Sequence, residues 1–269
     1  MRIMMRRFKK VGFVILAALF LGLFSVQNVH AAGILDPYAS FFPGITLEVG
    51  ATDDPQSVVA TMQVLFLVSI IALAPSLLVL LTGFTRIVIV LSFTRQAMAT
   101  QQMPPNQVLV GIALFLTLFI MAPQFNEINQ NAIIPLGAGE IDTAQAIEAA
   151  WVPLRDFMFI QLDNQFGEHA VTLFMDLSGT MIYYDEQIPP SVLIPAFIVN
   201  ELTMGFLMGF FIYLPFIVID MVVASVLMSM GMMMLPPAMI SMPFKIMVFI
   251  LAGGWRVVIE NMLRTFGYG

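Results

Sequence analysis

Long apolar runs, broken by prolines, paired glycines or lone charges, flank one acid-rich stretch. Val58–Leu81 is the longest run and contains Pro75; Arg86–Arg95 is apolar between two arginines; Val108–Ala122 follows Pro104-Pro105. Gln124–Pro190 then carries ten acidic residues and one base, Arg155. Apolar character returns after Ser191 in Val192–Ile219, Met221–Leu235 and Ile246–Ile259. In the polar middle, Asp142 or Thr143 can cap a helix whose Ile147, Trp151, Leu154 and Met158 recur at i, i+4, i+7 and i+11. Pro153 is expected to kink it. Val171, Phe174 and Leu177 mark a second, shorter amphipathic helix closed by Gly179. No stretch shows sustained strand alternation, a hairpin signal or an internal repeat, so the chain reads as all-α.

Composition turns this helical reading into a membrane one. The chain is 59% hydrophobic and 10% charged, and its mean hydropathy is +0.93. A soluble domain is roughly 45–50% apolar and roughly 25% charged, so one soluble core cannot hide this surface. Residues 1–31 have the layout of a cleaved secretory signal: Arg2, Arg6, Arg7, Lys9 and Lys10 precede the apolar Val11–Phe24, and Val29-His30-Ala31 offers small residues at a cleavage site. Without that segment six basic residues face seventeen acids, a net charge of about −11 rather than −6. Nucleic acid is therefore not an expected partner, for no basic stripe meets phosphates. The expected organisation is a signal over 1–31, a Pro/Gly/Asp-bearing leader over 32–56 and a first apolar helical hairpin over 57–123. An acidic helical region over 124–190 follows, then a second apolar hairpin with a methionine-rich loop over 191–269.

Arg86 and Arg95 lie between the first apolar blocks and Lys245 between the last, whereas the acidic middle has almost no bases, so the positive-inside rule puts that middle outside the cytoplasm. Four crossings fit this, although Arg264 would then lie outside. The crossings are short and broken. Val108–Ala122 would cover only about 22 Å of a roughly 30 Å hydrocarbon layer. Ile246–Ile259 contains Gly253-Gly254, and Val192–Ile219 contains Pro195, Asn200, Glu201 and Pro215. Such helices are tolerated where protein or a water-filled cavity covers them, so packing against other subunits is expected.

Missing residue types exclude whole chemistries. There is no cysteine, the one histidine after residue 31 is His169, and Lys245 follows no glycine-rich loop. Disulfides, thiol catalysis, histidine metal clusters and a Walker-type phosphate cradle are not expected, and no cofactor is. An intramembrane enzyme would also want a nucleophile–base pair or two paired aspartates, and neither motif is present. Three features remain. Met228, Met230, Met232, Met233 and Met234 sit beside Gly231 and before Pro236-Pro237, among eight methionines between Met221 and Met242. They suit either a deformable apolar gasket or simple gap-filling in a buried helix. Asp220 and Glu201 are carboxylates inside apolar runs, candidates for proton movement or for structural ion pairing; the lack of a second acid or histidine at helical spacing favours structure, with Asn200 and Thr203 as local partners of Glu201. Arg86 and Arg95 read as snorkelling anchors or as partners of those carboxylates on a neighbouring subunit.

Certain blocks carry a resemblance. Pro75-Ser76-Leu77 through Thr82, Phe84-Thr85-Arg86-Ile87, Arg95-Gln96-Ala97 and Pro104-Pro105-Asn106-Gln107-Val108-Leu109 form one set; Pro195-Ala196-Phe197, Glu201-Leu202, Pro215 through Asp220-Met221-Val222-Val223-Ala224-Ser225 to Met234-Leu235-Pro236-Pro237, Phe244-Lys245 and Gly254-Trp255 form the other. From about Val64 onward the chain resembles the FliP family of flagellar type III export-gate subunits, and through it the injectisome counterpart. The resemblance implies a non-enzymatic pore subunit of the bacterial inner membrane at the flagellar basal body. It implies a homo-oligomeric helical ring, pentameric in the family, with FliQ-like and FliR-like subunits, alongside FlhA and FlhB. Unfolded flagellar subunits are the implied cargo. It further implies that much of the complex stands out of the bilayer plane and that the five methionines lie at the pore constriction. The chain departs from the family after Glu201-Leu202, where Thr203 and Leu207 replace a common lysine and later polar residue. It departs also at Gly253, where an acid is common, and around Asp163–His169, which lacks basic residues. These departures bear on particular inter-subunit salt bridges. The alternative reading is a proton-coupled transporter using Asp220 and Glu201.

Overall fold

The computed structural model describes residues 68–69, 72–73, 76–100, 103–179, 188–232 and 235–267. The expected signal, the leader and most of Val58–Leu81 lie outside the described residues, as do Met233 and Met234. The chain divides at Leu77, and the architecture below concerns the unit from Leu78 onward.

Among the described residues every regular element is helical. α1 is Phe84–Ala97, α2 Asn106–Ile120, α3 Ala122–Ile128, α4 Ile134–Ala138, α5 Thr143–Leu162, α6 Gln165–Ser178, α7 Pro190–Ser229, α8 Pro237–Leu251 and α9 Gly254–Arg264. A π-helical turn over Asn129–Ile133 joins α3 to α4. Among the described residues one helix, α7, is long and apolar enough to cross a membrane alone, and up to three spans result if two bent pairs each count as one. The first pair bends by 55° between α2 and α3, where Pro123 withholds an N–H from the helical ladder. The second bends by 61° between α8 and α9, at Gly253 (φ 102°) and Gly254 (φ 59°), conformations that favour glycine. Ile246–Ile259 is therefore not one segment: its glycine pair is a corner. The opposite holds at Asp220, which does not divide two elements. α7 runs straight through it, and through Pro195 and Pro215, for 40 residues.

The polar middle folds by local chemistry. Asp142 caps α5: its Oδ1 accepts from the Gln145 N–H at 2.8 Å while the Gln145 side chain accepts from the Asp142 N–H at 3.0 Å. The buried seam of α5 differs from the large-residue stripe. Ala146, Pro153, Phe157 and Gln161 are buried beside Met158, while Ile147 is exposed. Small residues let the neighbouring chain approach, so the contact face includes an alanine and a proline that a count of bulky apolar positions passes over. Asn164 caps α6 through its Oδ1, and Gly167 is required there because a Cβ would fall 2.2 Å from the Leu162 carbonyl oxygen. Gly179 ends α6 in the left-handed region. Val171 and Phe174 of this helix pack on the core, whereas Leu177 is exposed.

The core is built around the first half of α7. Leu193, Phe197, Glu201, Gly205 and Gly209, each four residues apart, form a buried ridge covered by α1, α6 and α5. α1 runs in the same direction as α7, with Arg86 beside Glu201, Ile89 on Gly205 and Phe93 on Gly209. A Cβ on Gly205 would lie 3.1 Å from Ile89, and one on Gly209 only 2.5 Å from Phe93. This small-xxx-small seam sets the helix spacing. Gly209→Val should accordingly cost about 1–3 kcal/mol by overpacking. Phe93→Ala in the same background should relieve part of that loss, as read from denaturation midpoints in detergent. An unshifted midpoint for Gly209→Val would place the seam elsewhere.

Candidate functional site

One buried charge pair, one half-open charge pair and one exposed turn lie along α7. The first pair joins three elements. The Arg86 guanidinium and the Glu201 carboxylate are each 1% exposed and bonded through Nη2 and Oε1. Nη1 donates to the Thr265 Oγ1 at 3.2 Å and to the Thr265 carbonyl at 3.4 Å, just beyond α9. The Phe266 ring lies 4.3 Å from the guanidinium carbon, a cation–π contact in a desolvated setting. That ring also occupies the space a Gly83 side chain would need. Among the described residues, the buried Arg86 Nε and Glu201 Oε2 have no hydrogen-bond partner.

Arg86 is thus no snorkelling anchor, and its carboxylate belongs to the same chain. An interior guanidinium has no route to water, so it takes the nearest carboxylate rather than a neighbour's. Nor do the expected local partners serve Glu201. Asn200 donates to the Gln161 carbonyl at 2.9 Å, tying α7 to the end of α5, and Thr203 donates to its own helix at the Val199 carbonyl. Arg95 does different work: it donates to Asn106 Oδ1 at 2.5 Å and to the Pro104 carbonyl at 3.2 Å, closing the loop between α1 and α2.

The second pair lies further along α7. Lys245 on α8 is 2% exposed and its Nζ is 2.6 Å from Asp220 Oδ2, while Ser241, also buried, donates to Asp220 Oδ1 at 2.5 Å. Asp220 itself is 33% exposed. Ser241 and Lys245 are four residues apart, on one face of α8, so both oxygens of one carboxylate are met. Phe216, Phe249 and Trp255 pack beside this point, with ring centroids 6.5 and 5.5 Å apart in succession. Glu201 and Asp220 are separated by about 28 Å of helix and each has its own base, so they form two sites rather than one.

Beyond Asp220, α7 ends in a turn that satisfies its last carbonyls. Gly231 adopts φ 73°; its N–H reaches the Met228 carbonyl at 3.0 Å and the Met232 N–H reaches that of Leu227 at 3.0 Å. This is a Schellman closure, for which the glycine is needed. Pro236 and Pro237 then open α8. Met228, Met230 and Met232 at this tip are 44–59% exposed. His169, the expected solvated residue of the acidic region, is exposed.

Five contributing residues were not singled out from sequence. Ser241 had a signal, its i−4 relation to Lys245. The Gly205-xxx-Gly209 pair had one too, continuing the four-residue spacing from Glu201. Thr265 and Phe266 had none, because their contact with Arg86 spans 179 residues.

Among the described residues, an all-α fold with a 40-residue apolar helix, ion pairs along it and an exposed methionine turn at its end has the character of a membrane-associated protein. The FliP family model matches residues 67–262, and the chain belongs to that family. It is 47% identical to the flagellar biosynthetic protein FliP of Bacillus subtilis over 221 residues, 82% of this chain and 98% of that one. It is 46% identical to that of Treponema pallidum over 85% of this chain and 84% of the relative, and 40% identical to that of Aquifex aeolicus over 84% and 93%.

The Arg86 site yields a direct test. Arg86→Ala leaves Glu201 buried and unpaired and should cost about 3–5 kcal/mol, whereas Arg86→Met with Glu201→Leu should recover most of it. Unfolding of the purified protein in detergent measures both. Equal losses in the single and double variants would remove the pair from the account.

Proposed function

We propose that this chain is a non-enzymatic pore subunit of the flagellar type III export gate, in the bacterial inner membrane at the base of the flagellum. A role in flagellar biosynthesis follows from membership of the family; the pore role rests on α7 and its tip. At 1.5 Å per residue the helix is about 60 Å long, against about 40–45 Å for a whole bilayer with its headgroups. Most of its buried residues lie in the first half, with Phe216 and Leu227 the buried ones beyond. The second half turns Phe210, Phe211, Val218, Met221, Val222 and Val226 outward. A helix of that length with apolar side chains on every open face calls for cover by protein over the part that lipid cannot reach. Further copies of the chain, with FliQ-like and FliR-like subunits, supply that cover in a ring.

Within the ring, α7 and α8 line the conduit and the methionine turn closes it. Thioether side chains are flexible and polarisable, so a circle of Met228, Met230, Met232, Met233 and Met234 seals around a passing unfolded flagellar subunit and around nothing at all. Energy for export comes from partners, FlhA and FlhB among them, since each intramembrane carboxylate here is held by its own base. The acidic region over 124–190 lies on the extracytoplasmic side, in keeping with its single arginine. The observation that carries the reading is the exposed methionine turn at the end of a helix too long for lipid alone.

Deleting Met230–Met234, or replacing the methionines there by serine, should make membranes leaky to ions while assembly of the complex persists. Conductance recordings and growth in the presence of permeant ions read the leak, and native gels read assembly. Intact complexes with unchanged leakage would count against the methionine seal.

A further inference from the structure

Six bases follow residue 31, and four of them are committed within the chain. Arg86 and Lys245 are buried against carboxylates, Arg95 closes a loop, and Arg155 lies beside Asp156. Arg256 and Arg264 remain, both exposed on the open face of α9. Among the described residues their one ionic contact is Glu260, set between them at 4.0 and 2.9 Å, so the face keeps a net positive charge. Exposed pairs of this kind are weak and exchange readily for a better partner. The opposite face of the helix is already taken: Met262 is buried, and Trp255, Val258 and Leu263 pack on the core. An acidic corner flanks the same level of α7. Asp163 and Glu168, where α5 meets α6, are exposed and form no ion pair among the described residues. Thr265, next to Arg264, bonds Arg86 and through it Glu201, while Asn200, next to Glu201, bonds Gln161, just before Asp163. Successive helical residues point about 100° apart, so the arginines and the acids stand on different sides of α7.

We propose that the arginine face of α9 docks onto the Asp163–Glu168 corner of the next copy of this chain. The inference rests on the ring of copies in the reading above and names one contact that builds it. Charge identifies the occupant. Residues 124–190 carry ten acids and one base, so copies set side by side repel through this region unless a base from each neighbour comes between them. Arg256 and Arg264 are the bases free to do so. A positive patch on one side and a negative one on another make a head-to-tail contact, in which each copy gives its arginines in one direction and accepts with its acids in the other. The guanidinium fork suits either carboxylate of the corner. Such a contact fixes register and selects the partner face, and leaves affinity to the apolar side chains around it. A lipid surface fits less well. A helix lying in the headgroup region buries its apolar face among acyl chains, whereas that face of α9 is spent on the chain's own core, and Glu260 would meet the phosphates.

The chain contains no cysteine, so a disulfide between copies reports only the positions introduced. Two differently tagged full-length chains, one with Glu168→Cys and one with Arg264→Cys, would be co-expressed with the partner subunits and oxidised in membranes. A disulfide dimer bearing both tags is expected, and neither variant expressed alone should give one. Asp163→Cys with Asn261→Cys keeps Glu168 and Arg264 in place; this second pair should give the same dimer where the first chains fail to assemble. Charge reversal is an independent readout. Arg264→Glu should lower the multimer on native gels about tenfold by setting like charges together, and Glu168→Arg in the same chain should restore it. Intact multimers without a mixed-tag dimer from either pair would overturn the docking and leave the pore reading standing. A mixed-tag dimer in complexes whose conductance the methionine replacements leave unchanged would support the docking and remove the seal. Retention by phosphatidylglycerol vesicles that Arg264→Glu abolishes, with multimers unaffected, would assign α9 to the membrane surface and overturn the docking.

Discussion

Burying a charge inside an apolar helix is the constraint to which the rest of this structure answers. Glu201 lies on the face of α7 that turns into the protein, and isolated there it would be intolerable. Arg86 makes it tolerable, and with it come requirements that propagate. α1 must lie parallel to α7 at the level of Glu201, which needs Gly205 and Gly209 beneath Ile89 and Phe93. The guanidinium's remaining donors then need Thr265, and its face takes Phe266. One ion pair thus fixes the spacing of two helices and the return of a third. Its contribution lies less in net stability than in register, since a well-packed apolar pair of the same volume could hold the core as firmly.

The same logic appears twice along α7 with different consequences. The Arg86–Glu201 pair is almost wholly inaccessible, is surrounded on three sides and sits where the helix is most embedded. The Lys245–Asp220 pair is one-sided: its lysine is buried but its aspartate is partly open. α7 is thus enclosed by charge pairing in its first half and held to α8 by a partly open pair further along.

The parts legible in the sequence were those governed by local chemistry. The Asp142 cap, the Gly179 stop, the Gly231 bend and the Pro236-Pro237 break follow from a few neighbouring residues, and so does the helical class. Family resemblance was readable because ordered blocks such as Pro215–Asp220 and Met234–Pro237 are themselves local. What resisted reading depended on distance. Arg86 looked like an anchor because its partners lie 115 and 179 residues away. Asp220 looked like a boundary because a charge usually ends an apolar span, and only α8 folding back with Lys245 and Ser241 lets the helix continue through it. The α5 stripe held at Trp151, Leu154 and Met158, which face the core, and failed at Ile147, while the alanine and proline that share the buried face were passed over because bulky residues were weighted.

Gly253 and Gly254 redirect the chain so that α9 comes back to the start of α1, and this has a consequence for synthesis. A ribosome delivers residues in order, at about 5–20 per second. Arg86 is made early, Glu201 much later, and the Thr265 and Phe266 that finish its enclosure later still. Through most of translation the guanidinium must therefore wait in an unfinished setting, with water, lipid headgroups or the insertion machinery as its temporary company. Closure of the interior is a late event, and a nascent chain halted before residue 265 leaves a cation without its full shell.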